Sequence, residues 1–100
     1  MAEDSSVKVF VEYCGECGHI NQFFEMAEVI KQSVPDAKIY GRPGRQASFE
    51  VQINDKPVYS KLRTLAFPDF EEVSQCVKNV SEGIPCNEIH KQQPIKCVIS

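Results

Sequence analysis

Two thiols three positions apart, in the run Cys14-Gly15-Glu16-Cys17, are the residues of this 100-residue chain best suited to do chemistry. Sulfurs at that spacing close a small ring with little loop entropy to lose. One thiolate attacks a disulfide, and its partner resolves the mixed disulfide so formed. The pair falls where a predicted strand ends and a predicted helix begins, with Cys14 expected near the N-cap and Cys17 in the first turn. A helix start offers unpaired N–H groups and a positive dipole end, which favour thiolate over thiol. Gly15 and Gly18 leave room for a bulky disulfide partner. Glu16 opposes a second negative charge beside it, and a protonated His19 offsets that unless it points to solvent. On these grounds either sulfur fits the attacking role. A four-cysteine zinc site would need a second close pair, and Cys76 and Cys86 are too far apart in sequence to resemble one. No metal is therefore expected.

The second chemical feature is Cys97-Val98-Ile99-Ser100, which reads as a prenylation box whose final Ser favours farnesyl. A lipidated Cys97 also accounts for the odd count of five cysteines. One lipid gives reversible binding at about 0.8 kcal/mol per buried CH₂, and Lys91 and Lys96 add only a weak basic helper. Of the remaining thiols, Cys76 lies among Val73, Val77 and Val80 and is expected to be a buried core cysteine. Cys86 is expected to be a plain surface cysteine, with acylation or pairing with another thiol as the alternatives, and His90 is expected to be solvated.

Composition narrows the setting. The hydrophobic share is 42% and the charged share 25%, as in ordinary globular domains. Net charge is -3 and no segment gathers the basic residues, so nucleic-acid binding is not expected. Met1 to Ser6 has neither a basic start nor an apolar run, and position 2 is not Gly. The expected location is the cytoplasm, with reversible attachment to the inner face of the plasma membrane through a prenyl group.

Six elements are needed to position the thiols. Val7 to Tyr13 reads as a strand with Val7, Val9 and Val11 on one face and Lys8, Phe10 and Glu12 on the other, which implies a sheet covered on one side. Ile20, Phe23, Phe24, Ala27, Ile30 and Val34 recur at helical spacing up to Pro35. Ala37 to Tyr40 is a short strand, and Gly41 to Gln46 a loop. Ser48 to Ile53 alternates, Asn54-Asp55 turns, and Lys56 to Lys61 returns with Pro57 arguing for a sheet edge. Pro68-Asp69 starts a helix striped by Phe70, Val73, Val77 and Val80, and Gly83 follows its end. The order β-α-β-β-β-α predicts a two-layer, thioredoxin-like α/β sandwich: a four-stranded mixed sheet with its helices on one face. The expected boundaries are a flexible N-terminus at 1–6, a domain at 7–83 and a flexible tail at 84–100.

Val11-Glu12-Tyr13-Cys14-Gly15-Glu16-Cys17-Gly18, Phe49-Glu50-Val51, Ser60-Lys61 and Phe67-Pro68 together resemble the selenoprotein W (Rdx) family. The resemblance implies a thioredoxin-like fold and thiol redox chemistry with glutathione or protein thiols, without a further cofactor. Selenium-containing relatives carry selenocysteine at the second motif position, which makes Cys17 the implied nucleophile and Cys14 its partner. Relatives with a prenyl box imply a role in signalling or cell migration at the membrane. Two departures stand out. Arg42 to Gln46 lacks the expected Gly- and Thr-rich pattern, and neither Ala47 nor Ser48 is the proline that thioredoxins set against a substrate disulfide. A thiol-disulfide oxidoreductase and a prenyl-anchored adaptor with a vestigial or switch-like CxxC both fit this reading.

Overall fold

Strand β1, Lys8–Tyr13, forms because β-branched and aromatic residues alternate with polar ones, and that alternation sets its two faces. Val7, Val9, Val11 and Tyr13 are buried, whereas Phe10 and Glu12 stay half-exposed. The computed structural model describes residues 7–93. In it β1 is followed by α1 (Ile20–Ser33), β2 (Lys38–Pro43), β3 (Phe49–Ile53), β4 (Lys56–Ser60), the one-turn α2 (Lys61–Thr64) and α3 (Phe70–Ser81). The sheet order is β2-β1-β3-β4. β1 and β2 run parallel, while β1–β3 and β3–β4 are antiparallel. The expected four-stranded mixed sheet is therefore present, with α2 as an addition.

Phe23, Met26 and Ile30 turn inward from α1, and Phe70, Val73, Cys76 and Val77 from α3. They meet Val9, Val11, Phe49 and Val51 in one continuous core. Phe24, expected on the apolar stripe, is 59% exposed. One residue past Phe23 is about 100° around a helix, so the face set by 23, 26 and 30 leaves it outside.

β2 runs three residues beyond its expected end. Gly41, Arg42 and Pro43 have loop character, yet they pair with Val11, Glu12 and Tyr13. An edge strand tolerates the missing proline N–H. Glycine is required at 41 because a Cβ there would overlap the Phe23 ring, 2.7 Å away. β4 occupies the other edge, and Pro57 sits in it as expected. The β3–β4 hairpin turns on Asn54 and Asp55, both at positive φ (51° and 70°), the geometry of a type I′ turn.

α3 is bounded at both ends by side-chain and glycine chemistry. The Asp69 carboxylate accepts the Glu72 N–H at 3.1 Å as an N-cap. At the far end Gly83 takes φ +86, its N–H donates to Val80 O, and the Ile84 N–H donates to Asn79 O. That pair of bonds is a Schellman closure and reverses the chain.

The chain does not leave the domain at Gly83, where the sequence reading placed the start of a tail. Residues 84–93 return as a strap. Cys86 is paired with Cys76, Ile89 is 3% exposed, and the Ile89 N–H donates to Val58 O. The Glu72 carboxylate accepts the backbone N–H groups of His90 and Lys91. Asp69 N–H donates to Lys91 O, and Gln93 N–H to Phe67 O. Polar composition hid this strap from periodicity, because backbone groups, scattered polar side chains, a disulfide and one buried Ile hold it. Positions 1–6 and the prenylation box at Cys97 lie outside the described residues.

Candidate functional site

β1, an inner strand, ends by delivering Cys14 to the end of the sheet beside the start of β3, where the Cys14 N–H donates to Ser48 O at 3.0 Å. The Cys14 carbonyl accepts from His19 N–H at 3.2 Å, and Gly15 O accepts from Gly18 N–H at 3.3 Å. These bonds fold residues 14–19 into a compact turn, closed by Gly18 at φ +78. Cys14 and Cys17 form a disulfide with Cα atoms 5.4 Å apart, inside the usual range of about 4.4–6.8 Å. The two sulfur residues differ in access: Cys14 is 2% exposed, whereas Cys17 lies on the surface.

The expected placement of the pair on the helix itself is corrected. α1 begins at Ile20 with His19 as its N-cap, so Cys17 precedes the helix by three residues and Cys14 by six. Gly18 at positive φ breaks the helix path before Cys17 can join it. The helix still presents its positive end toward the turn, with no acidic residue in its first turn and no side chain capping it.

His19 does not point freely to solvent. Its Nδ1 lies 3.1 Å from Ser48 O and its ring meets Phe67 edge-on at 4.9 Å. A carbonyl only accepts, so this contact places a proton on Nδ1. Ser48 O therefore collects two donors, from Cys14 and His19, and ties the turn to the start of β3. Ala47, just before it, is held at φ +66.

The loop from Pro43 to Ser48 forms the opposite wall. Glu12 holds it: its carboxylate accepts the Arg45 backbone N–H at 2.6 Å, Arg45 Nε at 2.9 Å and an Nη at 3.1 Å. These bonds, the side-chain one foremost, hold the Glu12 pKa below its ordinary value. Gly44 passes so close to Glu12 that a Cβ there would overlap the carboxylate. Between the loop and the CxxC turn lies an open pocket of about 410 Å³, lined by Cys14, Gly15, Glu16, Pro43, Gly44 and Gln46. Sequence reading brought Cys14 and Cys17 together correctly but missed this wall. A lone acid on β1 and a lone arginine in a loop give no spacing signal until β2 is known to run to Pro43.

A sequence profile for the Rdx family matches residues 8–79. The chain belongs to the Rdx family. It is 35% identical over 95 residues to migration and invasion enhancer 1 of Mus musculus, covering 95% of this chain and 82% of that protein. The Bos taurus protein of the same name is 34% identical over 93 residues, covering 93% and 80%. Among solved structures, a selenoprotein W-related protein from Vibrio cholerae superposes with TM-score 0.70 at 14% identity, over 76% of this chain and 98% of that one. A Bordetella parapertussis protein gives TM-score 0.63 at 18% identity, over 79% and 99%. At those identities the structures speak for the fold alone, the thioredoxin-like one that this chain shares with them.

The other two cysteines among the described residues are paired, which the expectation for Cys76 did not include. Cys76 is buried as anticipated, at 4% exposure. It is also paired with Cys86, Cα to Cα 5.6 Å, so Cys86 is not a plain surface cysteine. The Gly83 reversal brings position 86 back beside position 76. A glycine helix stop between two cysteines was the signal that could have revealed it.

Proposed function

We propose that the protein exchanges thiols and disulfides with glutathione or with cytosolic protein thiols, using Cys17 as the attacking sulfur and Cys14 as the resolving one. The observation that carries this reading is the difference in access across one disulfide: an exposed Cys17 joined to a buried Cys14 that lines the neighbouring pocket. A substrate disulfide R–S–S–R′ can approach only the outer sulfur. The Cys17 thiolate attacks it and expels R′S⁻. Cys14 then attacks the Cys17 sulfur of the mixed disulfide, expels RS⁻ and closes the Cys14–Cys17 bond. Two glutathione thiols reopen the pair, and the two electrons they give up leave them as glutathione disulfide. Family membership supports the same chemistry, and the pocket beside Gly15 gives a substrate chain a place to lie.

The proposal extends to location and role. A prenyl group on Cys97 attaches the protein reversibly to the inner face of the plasma membrane, where the exchange acts on signalling proteins that govern cell migration. The name of the mammalian relatives supports the role, and the Cys97-Val98-Ile99-Ser100 box supports the anchor.

The redox reading is tested by equilibrating the protein in glutathione buffers and counting free thiols at Cys14 and Cys17. The two are expected to disappear together as one two-electron couple. Two thiols that titrate like free cysteine, with no disulfide at any glutathione ratio, would remove the claim.

A further inference from the structure

We propose that Cys76 and Cys86 form a second redox couple, independent of Cys14–Cys17, which takes glutathione disulfide as its oxidant and fastens the strap 84–93 to α3. Three observations converge on it. The two residues lie at disulfide separation, 5.6 Å between Cα atoms. They differ in access in the same sense as the first pair, with Cys76 inside the core and Cys86 half-buried at its rim. The chain just beyond Cys86 is held by three backbone bonds (Ile89 N–H to Val58 O, Asp69 N–H to Lys91 O and Gln93 N–H to Phe67 O), by bonds and an ion pair to Lys56, Arg63 and Glu72, and by Ile89 as the one buried apolar side chain of residues 84–93.

The chemistry follows from access. Cys86 is the sulfur a small disulfide can reach. Its thiolate attacks glutathione disulfide, forms a mixed disulfide and releases one glutathione thiolate. Cys76 then displaces the second. The pair loses two electrons and two protons, and two glutathione thiols are produced. In a reducing compartment the couple stands open, because disulfides there are transient and sensing rather than structural. Closing it fixes a ten-residue separation and removes freedom from every state in which the strap is detached.

The strap's far end gives the closure its consequence. Gln93 is bonded to Phe67, whose ring packs on His19, two residues from Cys17. Oxidation at the remote pair therefore steadies the segment that borders the CxxC turn.

The full-length chain is stepped through glutathione buffers from reducing to oxidising, alkylated and mapped by peptide mass. Hydrogen exchange is read at the same steps. Cys76 and Cys86 are expected to lose alkylation together and to appear in one disulfide-linked peptide. Amide protection at Ile89 and Gln93 should rise by about tenfold or more as they do. Cys86→Ser, a change at the rim, should hold that protection at its reduced level in every buffer and leave the Cys14–Cys17 couple unchanged. Cys76 and Cys86 that remain alkylatable at every buffer composition would overturn the couple. Protection that does not differ between the reduced and oxidised states, or that Cys86→Ser leaves at the oxidised level, would overturn the fastening.

Discussion

Cys14 and Cys17 are chemically the same residue, and their surroundings make them different. Backbone bonds to Ser48 and His19 hold Cys14 inside the fold, and Gly18 turns the chain so that Cys17 faces outward. Ala47 sets the position of the Ser48 carbonyl from a left-handed backbone, φ +66, at a cost of about 1–2 kcal/mol for a residue with a Cβ. Ala47→Gly is therefore expected to be neutral or stabilising by up to about 1 kcal/mol in denaturant unfolding. A loss of more than about 1 kcal/mol would contradict that account. Glu12 contributes through its charge. Its folded pKa lies below the ordinary 4.5, chiefly because of the Arg45 side-chain bond. The unfolded chain thus takes up the proton first as pH falls, so the Glu12 contribution is complete above about pH 4.5 and is lost as pH drops through the folded value. Arg45 is 64% exposed, so the contribution is modest and weakened by salt. Glu12→Gln should lower the melting temperature at pH 7 and not at strongly acidic pH, and an equal deficit at both would refute the charge argument. The cysteine spacing, and a pair close enough to form a disulfide, were legible in the sequence. The difference between the two sulfurs was not, because it depends on a carbonyl 34 residues away, supplied by Ser48.

Among the elements, β2 decides the shape of the site. Its last three residues carry Pro43 beside Cys14, and that extension depends on Gly41 clearing the Phe23 ring. Gly41→Ala forces a shift of the ring or the strand and is expected to cost about 1–3 kcal/mol, read as a lower midpoint in urea. An unchanged midpoint would show that the close approach is unimportant. The corner after β4 is organised by Tyr59, which donates to Ala66 O at 2.7 Å and shares a 2.7 Å bond with Thr64 Oγ1. Burial pushes its phenol pKa upward. Tyr59→Phe should cost about 1 kcal/mol, and a neutral result would mean that α2 does not depend on that hydroxyl. Strong periodic elements were readable: β1, α1, β3 and α3 stand where alternation or a helical stripe put them. The end of β2 and the strap at 84–93 were not. Gly, Pro and polar residues carry no periodic signal, and what holds those segments is pairing with partners distant in sequence, through the backbone in β2 and through backbone, side chains and a disulfide in the strap.

Across the whole molecule, the strap carries the chain from the end of α3 back toward the CxxC turn. The described chain ends at Gln93, bonded to Phe67 beside His19. Under the proposed function a prenyl group on Cys97 attaches the protein reversibly to the membrane. Cys97→Ser should then move the protein to the soluble fraction, and equal pelleting with membranes would refute the anchor. The two sulfur pairs differ in purpose as proposed: one, with Cys14 lining a pocket, for exchange with substrates, and one fastening the strap to α3. The central claim is the division of labour within the first pair, and the most direct measurement is mixed-disulfide trapping by mass spectrometry. Cys14→Ser and Cys17→Ser are each incubated with glutathione disulfide. Cys14→Ser is expected to accumulate one glutathione on Cys17, whereas Cys17→Ser, left with the buried Cys14, should react at least about tenfold more slowly. Equal rates for the two variants, or faster labelling of Cys14, would contradict it.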